Sequence, residues 1–116
     1  MGIERYTRFL AEEGVSLMSL GLIERGLPRQ SALVAVDLLR DAKAAVLGGD
    51  VYVQTGDMIT PAYANWYCDR REGENYEAYL RRGWEGSETY IRGYPQPHEG
   101  RPIFVLVTNR DELKQS

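Results

Sequence analysis

The chain has 116 residues, a formal net charge of −3, 43% hydrophobic residues and 27% charged residues. That length suits one domain spanning 1–116, and that balance suits a packed core rather than a disordered chain. Mild acidity excludes a general nucleic-acid binder, which needs a basic stripe.

Cys68 is the one cysteine, so an intramolecular disulfide is excluded and a reducing cytoplasm is the expected setting. Residues 1–13 carry charges throughout and lack the apolar run of a signal peptide. No stretch reaches the ~20 apolar residues of a membrane-spanning helix, so no membrane association is expected.

Ile3, Tyr6, Phe9 and Leu10 fall at helical spacing and predict a first helix over 3–13, ended by Gly14. Residues 15–27 are apolar but broken by Gly21 and Gly26, which predicts a helical turn and a packed connection. Pro28 suits the first turn of a second helix. Ala32, Ala35, Val36, Leu39, Ala42 and Val46 then recur on one face. Gly48 and Gly49 are expected to end this helix, with Asp50 capping the turn that follows.

Val51, Val53 and Thr55 alternate with Tyr52 and Gln54, which is strand chemistry. Gly56-Asp57 signals a turn. Pro61 interrupts before a second strand over 62–69, paired with the first as a hairpin and leaving Pro61 at an edge or in a short loop. On that strand Tyr63, Asn65 and Tyr67 point one way, and Ala64, Trp66 and Cys68 the other. A charged turn over 69–74 leads into a long helix whose buried face is Tyr76, Tyr79, Leu80, Gly83, Trp84, Ser87, Tyr90, Ile91 and Tyr94. Gly83 and Gly86 each cost a helix roughly 1 kcal/mol, so close approach of another backbone is expected at both.

Pro95 and Pro97 end the helix. Residues 103–108 (IFVLVT) are apolar on both faces and predict the central strand. The polar tail 109–116 is expected to fray. The expected fold is α+β and two-layered, a small mostly antiparallel three-stranded sheet with two or three helices on one face.

Little in the chain points to catalysis. Gly-rich phosphate loops run strand, glycines, helix, and the order expected here is the reverse. No metal ligand set is expected, because His98 and Cys68 sit in no ligand spacing and Asp50, Asp57 and Asp69 form no EF-hand loop. No cofactor is expected either. Cys68 with His98 would make a nucleophile and base, but a cysteine beside Trp66 reads better as a small buried hydrophobe. Asp50 and Asp69 flank the strands and give the alternative reading, a small carboxylate-based enzyme or ligand-binding domain.

Aromatic content stands out instead. Eight tyrosines and two tryptophans occur, nine of the ten between Tyr52 and Tyr94. Most belong to a core, but tyrosine hydroxyls need partners or water, and Tyr, Trp and Arg anchor protein interfaces.

The order of segments resembles a known family. A helix is followed by VLGGDVY (46–52), NWYCD (65–69), ENYEAYL (74–80), TYIRGYP (89–95) and a final apolar strand. GVSLMSLG (14–21) completes the likeness. This is similar to the immunity proteins of bacterial polymorphic toxin systems, most of all the immunity protein 40 family, over about residues 14–107. Leu27-Pro28 departs from a Ser- or Thr-capped helix start, and Ala64 from a polar residue before Asn-Trp-Tyr.

The resemblance implies a cytoplasmic, non-enzymatic protein encoded beside a toxin gene, which binds the cognate toxin domain and blocks it. It supplies no catalytic residues. It implies that Gly48, Gly49, Asp50, Asn65, Trp66 and Tyr67 are family-motif residues of mainly structural use. The expected toxin-binding patch is the hairpin and charged turn: Tyr52, Asp57, Tyr63, Asp69, Glu72 and Glu74. The expected assembly state of the chain itself is a monomer or weak homodimer.

Overall fold

Five antiparallel strands in the order β1-β2-β5-β3-β4 form one sheet in the computed structural model, which describes residues 2–109. The elements run α1 (Ile3–Glu13), β1 (Val15–Ser16), a 3-10 turn (Met18–Leu20), β2 (Arg25–Pro28), α2 (Arg29–Asp41), β3 (Val46–Thr55), β4 (Met58–Tyr67), α3 (Tyr76–Gly93) and β5 (Arg101–Thr108). The fold is α+β, as the sequence predicts, but the sheet has five strands rather than three. The two extra strands, β1 and β2, flank the 3-10 turn, in the segment where a helical turn and a packed connection were expected. They are two and four residues long, too short for an alternation to show.

β5 is central, lying between β2 and β3, as its two-sided apolar character predicts. Ile103 and Phe104 are fully buried. The three α-helices bury one face of the sheet. Tyr6 and Leu10 of α1, Ala32, Val36 and Leu39 of α2, and Leu80, Trp84 and Ile91 of α3 pack with Leu27, Val51, Trp66 and Phe104. Each fully buried large side chain contributes about 1.5–3 kcal/mol. The opposite face carries a smaller cluster. Leu17, next to the 3-10 turn, packs on Ile59 and Val105 with Tyr52 alongside. It covers only part of that face.

The second helix stops at Asp41, not near Gly48. Lys43 takes φ 58°. Its N–H donates to the Arg40 carbonyl at 3.0 Å, and Ala44 N–H donates to Leu39 O at 2.9 Å. This is the Schellman closure, with lysine where glycine is usual. Trp84 Nε1 donates to Ala44 O at 2.8 Å, and Ala45 N–H donates to Asn109 Oδ1 at 2.9 Å. Side chains distant in sequence thus satisfy the connection that the apolar pattern had extended as helix.

Gly48, Gly49 and Asp50 are therefore inside β3, and none of them ends a helix or caps a turn. Gly48 pairs with Tyr67 and Val107, Gly49 with Trp66 and Leu106, Asp50 with Asn65 and Val105. Gly48 has φ 143°, and a Cβ there would strike the Trp66 carbonyl oxygen. A Cβ on Gly49 would strike the Trp66 ring and the Val105 carbonyl. The glycines are crowded out of side chains by a tryptophan on the next strand.

Pro61 lies within edge strand β4 rather than before it, where its missing N–H leaves the sheet intact. Next to it the register slips: Val51 pairs with Ala64 but Tyr52 with Pro61. Ala62 and Tyr63 form the bulge, with Tyr63 at φ 57°.

Helix α3 begins at Asn75, whose Oδ1 accepts from Ala78 N–H at 2.8 Å. Its predicted face is inward except at Tyr76, which is exposed at the helix start. Gly83 meets the expected close backbone, since a Cβ would lie 2.7 Å from the Val46 carbonyl oxygen. Gly86 faces open space, and nothing in the structure explains it. Residue 109 is the last described residue of the predicted polar tail, and 110–116 lie outside the described residues.

Candidate functional site

The six predicted contact residues occupy three places. Asp57 is in the exposed turn at the hairpin tip, between β3 and β4. Tyr52 and Tyr63 are in the middle of the hairpin, Tyr52 half-buried and Tyr63 92% exposed in the bulge. Asp69, Glu72 and Glu74 lie in the turn beyond the other end of β4. A ten-residue strand separates Asp57 from Asp69, about 30 Å at ~3.3 Å per residue.

Glu74 is held inside its own turn. Arg82 donates Nε to Oε2 at 2.9 Å and Nη2 to Oε1 at 2.7 Å, and Arg71 N–H donates to Oε1 at 3.0 Å. Arg82 also donates to the Asp69 carbonyl at 2.6 Å, and Arg70 donates to the Glu74 carbonyl through Nε and Nη2. The Arg82 hydrogen bond, helped by the Arg71 N–H, lowers the Glu74 carboxyl from 4.5 to about 2. The same bond raises the Arg82 guanidinium. Glu74 therefore ties the charged turn to α3, while Asp69 and Glu72 are exposed on that turn.

The two sequence motifs, GGDVY and NWYCD, meet side by side and divide by face. On the inner face Trp66 stacks on Tyr90 at 4.5 Å, lies 6.3 Å from Phe104 and donates Nε1 to Ser87 Oγ at 2.9 Å. On the outer face, register puts Val105, Asp50 and Asn65 in one row, and Val107, Gly48 and Tyr67 in the next. Tyr67 is 76% exposed and Val107 43% exposed. Gly48 places no side chain between them.

A hollow of about 200 Å³ opens at the bulge, lined by Asp50, Tyr52, Pro61, Tyr63 and Asn65. The Tyr52 hydroxyl is raised above its ordinary value by burial first, then by the negative charge of Asp50 and Glu24. Asn65, Tyr67 and Val107 escaped the predicted patch. The alternation around Trp66 was the signal that placed the first two on the open face.

The other candidate chemistries do not assemble. Asp50 is opposite Asn65, and Asp69 is four residues further along, about 13 Å in the strand direction. Paired catalytic carboxylates stand roughly 5–9.5 Å apart. Cys68 is buried against α3, whereas His98 is exposed in the loop after it. Among the described residues no three His, Cys, Asp or Glu side chains gather as a metal-ligand set. No described helix is long and apolar enough to cross a membrane.

A small antiparallel α+β protein with a broad open sheet face, rather than a deep cleft, is what these features define. Residues 16–108 match the model of the family Immunity protein 40. The match spans most of the chain, so the chain belongs to that family of immunity proteins, and membership implies a toxin protein as partner. No curated protein and no solved structure matches the chain.

Proposed function

We propose that this protein binds a cognate bacterial toxin domain in the cytoplasm and neutralises it by occlusion, without catalysis of its own. It acts as one domain over residues 1–116, as a monomer or weak homodimer, without nucleic acid, membrane or cofactor. One observation beyond family membership carries the reading. The hairpin presents exposed aromatic and acidic side chains that have no internal task, next to a turn that Glu74 and Arg82 hold in shape.

The contact patch includes Tyr52, Asp57 and Tyr63 on the hairpin and Asp69 and Glu72 on the turn, with Glu74 holding the turn. A patch of ~800 Å² per partner is enough to cover a toxin's active site. Carboxylates steer a basic surface and aromatic anchors hold it.

Co-expression tests this. The toxin encoded beside this chain's gene should kill cells alone and spare them with the chain, and the two should elute as a stoichiometric complex. Protection without a complex would overturn occlusion. Neither protection nor a complex would overturn the immunity reading for that toxin.

A further inference from the structure

Asp50 is a half-buried carboxylate in the middle of a sheet, and among the described residues it has no hydrogen-bond or ion-pair partner. Glu74, by contrast, sits against the Arg82 guanidinium and the Arg71 N–H. Arg25 lines a neighbouring hollow with Asp50, but its guanidinium donates to the Gly14 carbonyl at 3.1 Å. Arg101, further along the face, donates to Gln54 at 2.9 Å.

Among the described residues, the strands and the turn around Asp50 bring no further cation. Residues 46–67, the whole hairpin, include Asp50 and Asp57 and no lysine or arginine. Residues 15–24, which hold the 3-10 turn covering part of this face, carry Glu24 and no cation. Residues 102–108 of the central strand carry no charge. Among the described residues, the cations nearest Asp50 on this face are therefore Arg25 and Arg101, each hydrogen-bonded elsewhere.

The hollow beside Asp50 has the parts that a planar cation needs. One carboxylate offers two acceptor oxygens. Tyr52 and Tyr63 line it together with Pro61, and the Asn65 amide adds an acceptor. A guanidinium uses all three, by bidentate pairing, stacking and a further N–H bond, where an ammonium uses only the charge. We infer that the hollow bounded by Asp50, Tyr52, Tyr63 and Asn65 is a socket for an arginine side chain of the toxin. The socket rests on the toxin-binding reading above and assigns that surface a chemical partner. It also gives Asp50 of one motif and Asn65 of the other a task that packing does not.

The test uses the full chain and the purified toxin domain encoded beside its gene, with affinity measured by titration calorimetry. Asp50→Asn keeps the shape and removes the charge, and it should weaken binding about 30-fold, as removal of one member of a desolvated charge pair does. Asp57→Asn at the hairpin tip should weaken it less than about 3-fold, as rim charges do. Tyr63→Asn suits the positive φ of the bulge, cannot disturb the core, and should weaken binding about 5-fold.

One arginine of the toxin, changed to glutamine, should reproduce the Asp50→Asn loss, and the double variant should lose nothing further. Asp50→Asn should leave the free chain melting at the same temperature or higher. Binding of Asp50→Asn within about 3-fold of the original overturns the socket while toxin binding stands. Coupling of Asp50 to a lysine, or to no toxin cation, overturns the arginine assignment. A clear fall in melting temperature in Asp50→Asn makes Asp50 structural and overturns the socket. An original chain that binds no toxin overturns the function and the socket together.

Discussion

Trp66 and Asn65 are neighbours in sequence, but they face opposite sides of the sheet. Trp66 is 9% exposed, its indole stacked on Tyr90 and hydrogen-bonded to Ser87, and Gly49 on β3 carries no side chain where the ring lies. Asn65 and Tyr67 are exposed and, among the described residues, make no side-chain hydrogen bond. The carboxylates differ in the same way. Glu74 is locked by Arg82 and Arg71, while Asp50 has no such partner among the described residues. One face of the hairpin is packed against the helices, and the other is covered only in part, by Leu17 on Ile59 and Val105. A short motif with residues on both faces therefore joins buried and exposed positions.

The largest effect belongs to the inner face. Gly49→Ala forces a Cβ into the Trp66 ring and the Val105 carbonyl, and backbone cannot move aside cheaply. The expected loss is about 3 kcal/mol or more, read by urea denaturation. A loss under about 1 kcal/mol would break the claim that Trp66 dictates these glycines.

Trp66→Phe should cost about 2 kcal/mol, from the volume lost and from a Ser87 hydroxyl left buried without its partner. The double variant Trp66→Phe/Ser87→Ala should recover part of that loss.

Acid sharpens the contrast between the carboxylates. The folded-state value of Glu74 is depressed, from 4.5 to about 2. A depressed carboxylate stabilises the fold above its unfolded value, and that contribution disappears as pH falls from about 4.5 towards 2. The melting temperature should fall across that window and fall less steeply in Glu74→Gln. Equal slopes in the two chains would remove Glu74 from the account.

Helix α3 repeats the contrast on a smaller scale. Gly86 faces open space, so Gly86→Ala should stabilise the chain by about 1 kcal/mol in thermal or urea melts. Gly83→Ala should do the opposite, because its Cβ would press on the Val46 carbonyl. The smallest effect is on the outer face. Tyr67→Ser should alter stability by no more than about 0.5 kcal/mol, since the ring is mostly in solvent. A larger loss would mean that the open face also serves the fold.

Much of the architecture was legible from local pattern. The α3 stripe, the central place of the 103–108 strand, Pro61 on an edge strand and the alternation of Asn65, Trp66 and Tyr67 each follow from a period or a backbone rule acting within a few residues. Family membership was legible too, because the pair GGDVY and NWYCD at this spacing carries the resemblance that the match over residues 16–108 bears out.

Other features depended on groups brought together from afar. Glycine tolerates a helix end and a crowded strand equally well, so Gly48 and Gly49 were ambiguous until Trp66 stood across from them. Lys43 accepted the left-handed turn that a glycine signal had been expected to mark, and Trp84 and Asn109 made that early stop stable. Whether an acidic side chain is spent or free is likewise a matter of what lies within hydrogen-bond reach. The sequence determined the periods, and with them which residues face in and which face out. Only the tertiary structure decided that Arg82 comes to Glu74 and no cation of the described chain comes to Asp50, because pairing depends on distances that folding sets and spacing along the chain does not.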